Sequence, residues 1–289
     1  MTALSPTSSI GSVGRPSPNT ERLPWGRWGV RGVALSYLFL ILIVPLIVIV
    51  QDGLREGLAG LWHAISQPIA ASALSLTLWT SAMMASVNGV MGLLMAHVLV
   101  RYAFPGKSLL NAIIDLPLAM PTLVTGVMLV VLYGPQAALG SWLDRALGLR
   151  IIFAPPGIVL ALLFITFPFV VRAVQPVLLG LEHEQEEAAA TLGAGSWTIF
   201  RRIVLPELAM PLLSGVLLSF ARAIGEFGAI VIVAGNIPLR SQTAAVYVFG
   251  EVESENRMAA SAVSIAMLAI ACGLVLLVDY LQKRWRKPR

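Results

Sequence analysis

Apolar residues in this chain come in long unbroken runs rather than in a two-residue alternation. Six runs stand out, at about residues 33–51, 69–100, 109–133, 156–175, 211–235 and 259–281. A helix of about 20 apolar residues covers the roughly 30 Å hydrocarbon core of a bilayer. Five of the runs meet that length well, and the run at 211–235 meets it with Arg222 and Glu226 inside it. Continuous apolarity without a period of two predicts helices, not the strands of an outer-membrane barrel. The pattern therefore predicts an all-α membrane protein with six transmembrane helices. It divides the chain into a tail at 1–32, a first anchor with an outside loop at 33–68, a transmembrane domain at 69–281 containing a polar loop at 180–207, and a basic tail at 282–289.

Composition sharpens this. Of 289 residues 57% are hydrophobic and only 12% are charged, against about 25% charged in an average soluble domain. Such a chain cannot cover a water-facing surface, which excludes a soluble enzyme or a nucleic-acid-binding module with a conventional exterior. Its hydrophobicity also excludes a disordered chain. The net charge of +5 carries information through its placement, since basic residues mark the cytoplasmic side of a membrane protein. The one cysteine, Cys272, excludes an intrachain disulfide.

Fourteen of the twenty Lys and Arg residues fall on one side of the predicted spans. They are Arg15, Arg22, Arg27 and Arg31 in the N-terminal tail, Arg101 and Lys107 after the second span, Arg172, Arg201 and Arg202 around the loop after the fourth, and Lys283, Arg284, Arg286, Lys287 and Arg289 at the end. Arg55, Arg145, Arg150, Arg240 and Arg257 fall on the other side, and Arg222 lies within a span. This asymmetry predicts cytoplasmic termini and a cytoplasmic 180–207 loop. The first twenty residues, rich in Ser, Thr, Pro and Gly, are expected to be a disordered tail. The first apolar run starts late and is followed by Gln51–Asp52 rather than a small-x-small site, so it is expected to be a retained anchor and not a cleaved signal peptide.

The loop from Gly180 to Glu207 reads GLEHEQEEAAATLGAGSWTIFRRIVLPE and carries helix signals of its own. Glu182, Glu184, Glu186 and Glu187 precede Ala188–Ala190, so acids sit at a helix N-terminus and alanines propagate it. Gly193 can adopt the left-handed conformation that ends it. Ser196 is an expected N-cap for a second short helix, Arg201 and Arg202 suit its C-terminal end, and Pro206 is expected to break the chain before the fifth span. By shape alone, these helices read equally as a compact knob or as an amphipathic connector on the membrane surface.

Glu187-Ala188-Ala189, three residues, Gly193, nine residues, then Ile203-x-Leu205-Pro206 resembles the EAA-x3-G-x9-I-x-LP signature of bacterial ABC importer permeases. Further stretches narrow the resemblance. Asp115-Leu116-Pro117-x-Ala119-x-Pro121-Thr122 resembles a run shared by sulfate and molybdate permeases, and Pro168-Phe169-Val170-Val171-Arg172 with Val174-Gln175-Pro176-Val177-Leu178 resembles the run before the loop in sulfate permeases. Arg222-x-x-Gly225-Glu226-Phe227-Gly228 resembles their R-x-x-GE-[FY]-G signature. Together these resemble the sulfate/thiosulfate permease family over about residues 70–285, while the stretch Leu239–Thr243 is not diagnostic between oxyanions. The other family of similar type is the molybdate/tungstate permeases, which are usually shorter and lack the first span.

The resemblance implies a type I ABC importer permease fold in which this loop is the coupling helix that docks on an ATP-binding subunit. It implies a coupling role for Glu187, Ala188, Ala189, Gly193, Ile203, Leu205 and Pro206. It implies as partners a second, similar permease, a dimer of ATP-binding subunits, and an extracytoplasmic sulfate-binding protein. No cofactor is expected in this chain, since it has no G-x-x-x-x-G-K-[ST] motif; ATP and Mg are expected on the partner ATPase.

Arg222 and Glu226 lie four residues apart in an apolar run, where charge is costly, and the spacing puts them on one helix face, where they can pair with each other. Two readings are open: a structural pair, or a lining of the translocation path or its gate together with Gly225. A paired gate fits an anionic cargo better than a binding pocket, because an unpaired Glu226 would repel it. Pro117, Pro121 and Pro168 are expected to kink their spans. His63, His97 and His183 have no metal-ligand spacing, so no metal site is expected. Trp25, Trp28 and Trp285 suit interfacial anchors, and Cys272 a packed small residue. An intramembrane enzyme would need a dyad or metal motif that Asp115, Arg222 and Glu226 do not assemble. A stand-alone channel would leave the loop signature without a purpose.

Overall fold

The computed structural model describes residues 24–181 and 183–285. The expected tail at 1–20, Arg15, Arg22, Glu182, Arg286, Lys287 and Arg289 lie outside the described residues, as do the side chains of Trp25, Arg27, His183 and Trp285. The chain falls into two units, Met1–Ile47 and Val48–Arg289. In the first, α1 (Pro24–Leu38) passes through one π-helical stretch, Phe39–Ile43, into the start of α2 (Val44–Gly53). This apolar helix begins ahead of the run that predicts it.

The second unit holds the end of α2, a short amphipathic α3 (Gly57–Ser66), and the long α4 (Pro68–Arg101). Pro68 starts α4 at a position where a missing N–H costs nothing. Then come α5 (Lys107–Ala119), α6 (Thr122–Tyr133), α7 (Ala138–Leu147) and α8 (Pro155–Gly180). The remaining helices are α9 (His183–Thr191), α10 (Ser196–Ile199), α11 (Leu205–Ile224), α12 (Gly228–Val233), α13 (Ala244–Glu253) and α14 (Arg257–Trp285). Five helices among the described residues are long and apolar enough to cross a membrane. The pair α5–α6, bent by 110°, makes a sixth if taken as one span.

That bend corrects the straight third span. Met120 and Pro121 are both extended, with ψ of 137° and 130°. The proline ring disfavours helix at the residue before it, so the chain turns at Met120. Pro117, by contrast, stays inside α5, and Pro168 inside α8.

Three helices form the frame. α4 buries Ala73, Leu76, Thr77, Thr80, Ser81, Met84, Ala85, Asn88, Gly92, Ala96 and Leu99 along one stripe at helical spacing. α8 and α11 pack on that stripe. The approach is close at Val170, where a Cβ added to Gly92 would stand 2.7 Å from the Val170 side chain. Polar groups at the junction satisfy one another, as a lipid-surrounded core requires. Asn88 Nδ2 donates to Thr166 Oγ1 at 3.0 Å and to the Leu163 carbonyl at 3.2 Å. Thr166 Oγ1 donates to the Leu162 carbonyl at 2.8 Å.

The bent half α6 packs against α12. A Cβ at Gly126 would lie 2.8 Å from the Ala229 carbonyl oxygen and 3.0 Å from its Cα, both backbone atoms that cannot swing away. Gly126→Val is therefore expected to cost about 1–3 kcal/mol through overpacking. The thermal midpoint of the detergent-purified protein measures it, and a midpoint equal to the parent's would mean that α6 and α12 can separate freely.

Candidate functional site

The polar loop folds as a two-helix knob. α9 carries Glu184 and Glu186 in its first turn, where the helix dipole favours negative charge. Gly193 stands at φ 84°. Its N–H donates to the Ala190 carbonyl at 2.9 Å, and the Ala194 N–H to that of Ala189 at 3.0 Å. This double closure is a Schellman cap, and a residue with a Cβ would strain the left-handed position.

The second helix departs from expectation in two ways. Gly195, not Ser196, is its N-cap, with Ser196 as the first helical residue. Nor does Pro206 break the chain: one helix runs over Ser196–Ile224. The residues Phe200–Val204 form a π-helical turn, with the Leu205 N–H bonded back to the Phe200 carbonyl. A π turn widens the helix directly ahead of Pro206, which relieves the clash its ring would make with the carbonyl four residues back. The fifth span is thus one rigid rod from the knob into the membrane.

Of the expected coupling residues, Glu187, Ala188, Gly193 and Pro206 are exposed, and Ala189, Ile203 and Leu205 are half-buried. Leu192, beside Gly193, is 89% exposed and is the most exposed large apolar residue of the knob. Glu186 forms an ion pair with Arg101 at the end of α4, which ties the knob to the frame. His97, one turn earlier in α4, packs edge-on against Phe200 with ring centroids 5.7 Å apart.

Within the spans the fifth helix ends before the charged pair is complete. α11 stops at Ile224, so Arg222 lies in its last turn and Glu226 beyond it, rather than both on one continuous helix face. The two still meet, Arg222 Nη1 to Glu226 Oε2 at 2.8 Å. Glu226 is 3% exposed. Its Oε1 accepts the Ala229 N–H at 3.1 Å, so it also caps α12. Gly225, exposed, sits between the two charges.

A second charge cluster was not foreseen. Arg172 of α8 meets Asp115 of α5 through Nε–Oδ1 at 2.8 Å and Nη2–Oδ2 at 2.5 Å. Its Nη1 donates to Asn111 Oδ1 at 3.0 Å and Gln175 Oε1 at 2.5 Å, and its Nη2 to the Asn111 carbonyl at 3.1 Å. These five bonds use all five N–H donors of a guanidinium. The signal in the sequence was the presence of one cation and one anion in two different apolar runs. Arg222 differs: among the described residues its polar contact is the ion pair with Glu226.

Among the described residues no group of three His, Cys, Asp or Glu could hold a metal ion. His63 bonds to Gln67 at 2.9 Å, and Cys272 is exposed rather than packed.

Comparison with known proteins fits this architecture. The family described as "binding-protein-dependent transport system inner membrane component" matches residues 88–287. A probable sulfate transport system permease protein cysT of Chlorokybus atmophyticus is 39% identical over 263 residues, covering 91% of this chain and 90% of that protein. The sulfate transport system permease protein CysT of Escherichia coli K12 is 41% identical over 254 residues, covering 88% and 91%. Among solved structures, a chain of a bacterial alginate ABC transporter in complex with its periplasmic protein superposes with a TM-score of 0.76 at 15% identity, covering 91% and 96%, a likeness of fold alone.

Proposed function

Because the chain belongs to the binding-protein-dependent transport system inner-membrane component family, we propose that it is the permease subunit of an ATP-driven importer of sulfate or thiosulfate. The observation that carries the substrate is identity of about 40% over nearly the whole chain to sulfate permeases. The permease fold and the apolar helices support a multi-pass protein of the inner membrane, with both termini on the basic, cytoplasmic side. A second permease, a dimer of ATP-binding subunits carrying ATP and Mg, and an extracytoplasmic sulfate-binding protein complete the importer.

Transport then follows from the geometry. The knob offers Glu187, the small residues Ala188, Ala189 and Gly193, and Leu192 at its tip for docking on the ATPase. Ile203, Leu205 and Pro206 lie in the rod that follows it, which ends at Ile224 and carries Arg222 in its last turn. When the ATPase dimer closes, the knob moves, and the rod carries the displacement to Gly225, Glu226 and the capped α12 as a rigid body. Arg222, Gly225 and Glu226 form the gate at that end. Glu226 is turned inward on Arg222 and on the Ala229 N–H, which keeps its charge from repelling an anion. Arg222, with donors left over, presents the positive side of the pair.

Uptake of labelled sulfate, in cells lacking this subunit and with it restored, tests the assignment. Restored uptake that unlabelled sulfate and thiosulfate suppress and molybdate does not is the expected result. Molybdate as the better competitor would reassign the chain to molybdate transport. In the same assay Gly193→Asp, which forces a Cβ into a left-handed position, is expected to abolish uptake while the permease still reaches the membrane. Normal uptake by that variant would remove the coupling role from the knob.

A further inference from the structure

We propose that the hollow between the end of α4 and the knob is a site for one phospholipid whose headgroup carries a primary ammonium. The cavity has a volume of about 710 Å³, within the roughly 300–1,000 Å³ range of small-molecule sites. Its α4 wall is Leu93, Leu94, His97 and Arg101. Those positions follow one helix face for about 12 Å at 1.5 Å per residue. The opposite wall is Trp197, Ile199, Phe200 and Val204 of the rod. A cavity apolar at its membrane end and polar at its cytoplasmic end matches an acyl chain followed by a headgroup.

The choice of headgroup rests on charge. Glu186 and Glu187 line the polar end with Arg101, and Arg101 already holds Glu186. Glu187 is exposed and makes no ion pair among the described residues. Among the described lining residues the surplus there is one negative charge, which disfavours an anionic lipid and favours an ammonium donating to Glu187. A Ser196 hydroxyl on the same wall can donate to the lipid phosphate. Choline headgroups carry no N–H to donate. Ala188, Ala189, Leu192 and Gly193 of the knob do not line the cavity, so the lipid and a docked ATPase share Glu187 and otherwise use different faces. Trp197 is 71% exposed, as expected of an indole at a lipid headgroup level. The bound lipid would wedge the knob against the frame. The inference rests on the membrane reading of the chain and is independent of which anion is carried.

The test is photolabelling of the assembled importer in bilayers with phosphatidylethanolamine carrying a diazirine in its acyl chain, read by peptide mass spectrometry. Label is expected to concentrate on residues 93–101 and 196–204, with unlabelled phosphatidylethanolamine competing and phosphatidylcholine not. Leu94→Trp, which fills the cavity, is expected to reduce that label about tenfold, equivalent to about 1.4 kcal/mol of binding free energy. Label elsewhere on α14 should stay unchanged and serves as the folding control. Label spread evenly over the lipid-facing helices, equal competition by phosphatidylcholine or phosphatidylglycerol, or cross-links from the ATP-binding subunit into the cavity would each overturn the proposal. None of these outcomes depends on sulfate uptake, so the site can fail while the importer assignment stands.

Discussion

Arg172→Ala is expected to destabilise the folded permease by about 2–4 kcal/mol and to lower its amount in the membrane severalfold. The guanidinium spends all five N–H donors on Asp115, Asn111 and Gln175, and it ties α5 to α8 beside the apolar packing of Ile114. Removing it leaves the half-buried Asp115 carboxylate without its counter-ion, together with two side-chain amide oxygens without a donor. The expected cost sits below the about 3–5 kcal/mol of a fully buried pair, because the two side chains retain 32% and 46% exposure. Arg172→Lys keeps the charge but cannot reproduce the fork, so it should recover only part of the loss. Arg172→Ala combined with Asp115→Ala should be less damaging than either alone, since no charge is then left over. Thermal midpoints of the detergent-solubilised protein measure all four variants. A parent-like midpoint for Arg172→Ala would show that the clamp contributes nothing.

At the other charged site the expected loss is in transport. Arg222→Ala should reduce sulfate uptake by more than about tenfold, a change of at least 1.4 kcal/mol, and weaken the fold by about 3 kcal/mol as Glu226 loses its counter-ion. Glu226 is only 2% exposed in its side chain, so water cannot replace the arginine. Glu226→Gln separates the two duties of that residue. The amide oxygen can still accept the Ala229 N–H and cap α12, while the ion pair is gone. A folded Glu226→Gln permease that docks its ATPase yet has lost binding-protein-stimulated ATPase activity and uptake would support the gate. A Glu226→Gln variant with full uptake would reduce the pair to a structural role.

Much of this molecule was legible in advance because lipid imposes a severe rule on sequence. Every spanning segment must satisfy its own backbone, so spans appear as continuous apolar runs whatever packs against them. The run at 69–100 became α4 with ends within a residue or two, and 156–175 became α8, which runs on to Gly180. Gly193 was readable for an equally local reason, since only the residue's own backbone freedom decides the cap. The resemblance of the loop and of the Arg222–Gly228 stretch to importer permeases added what periodicity alone could not.

The sequence by itself determined the number of apolar segments, where along the chain the cations cluster, and the family of the chain. Only the tertiary structure decided where a span bends, how far it runs and which charges meet. Residues 109–133 are apolar on both sides of Met120, so hydropathy cannot tell a straight helix from one turned by 110°. Pro206 reads as a break, yet a π turn three-dimensionally absorbs it and joins the knob to the span. Arg172 and Asp115 are 57 residues apart, and their pairing exists only because α5 and α8 come side by side. Short-range patterns are fixed by backbone sterics and solvent, whereas contacts between distant residues are fixed by which helices share a face, a property that no single segment carries.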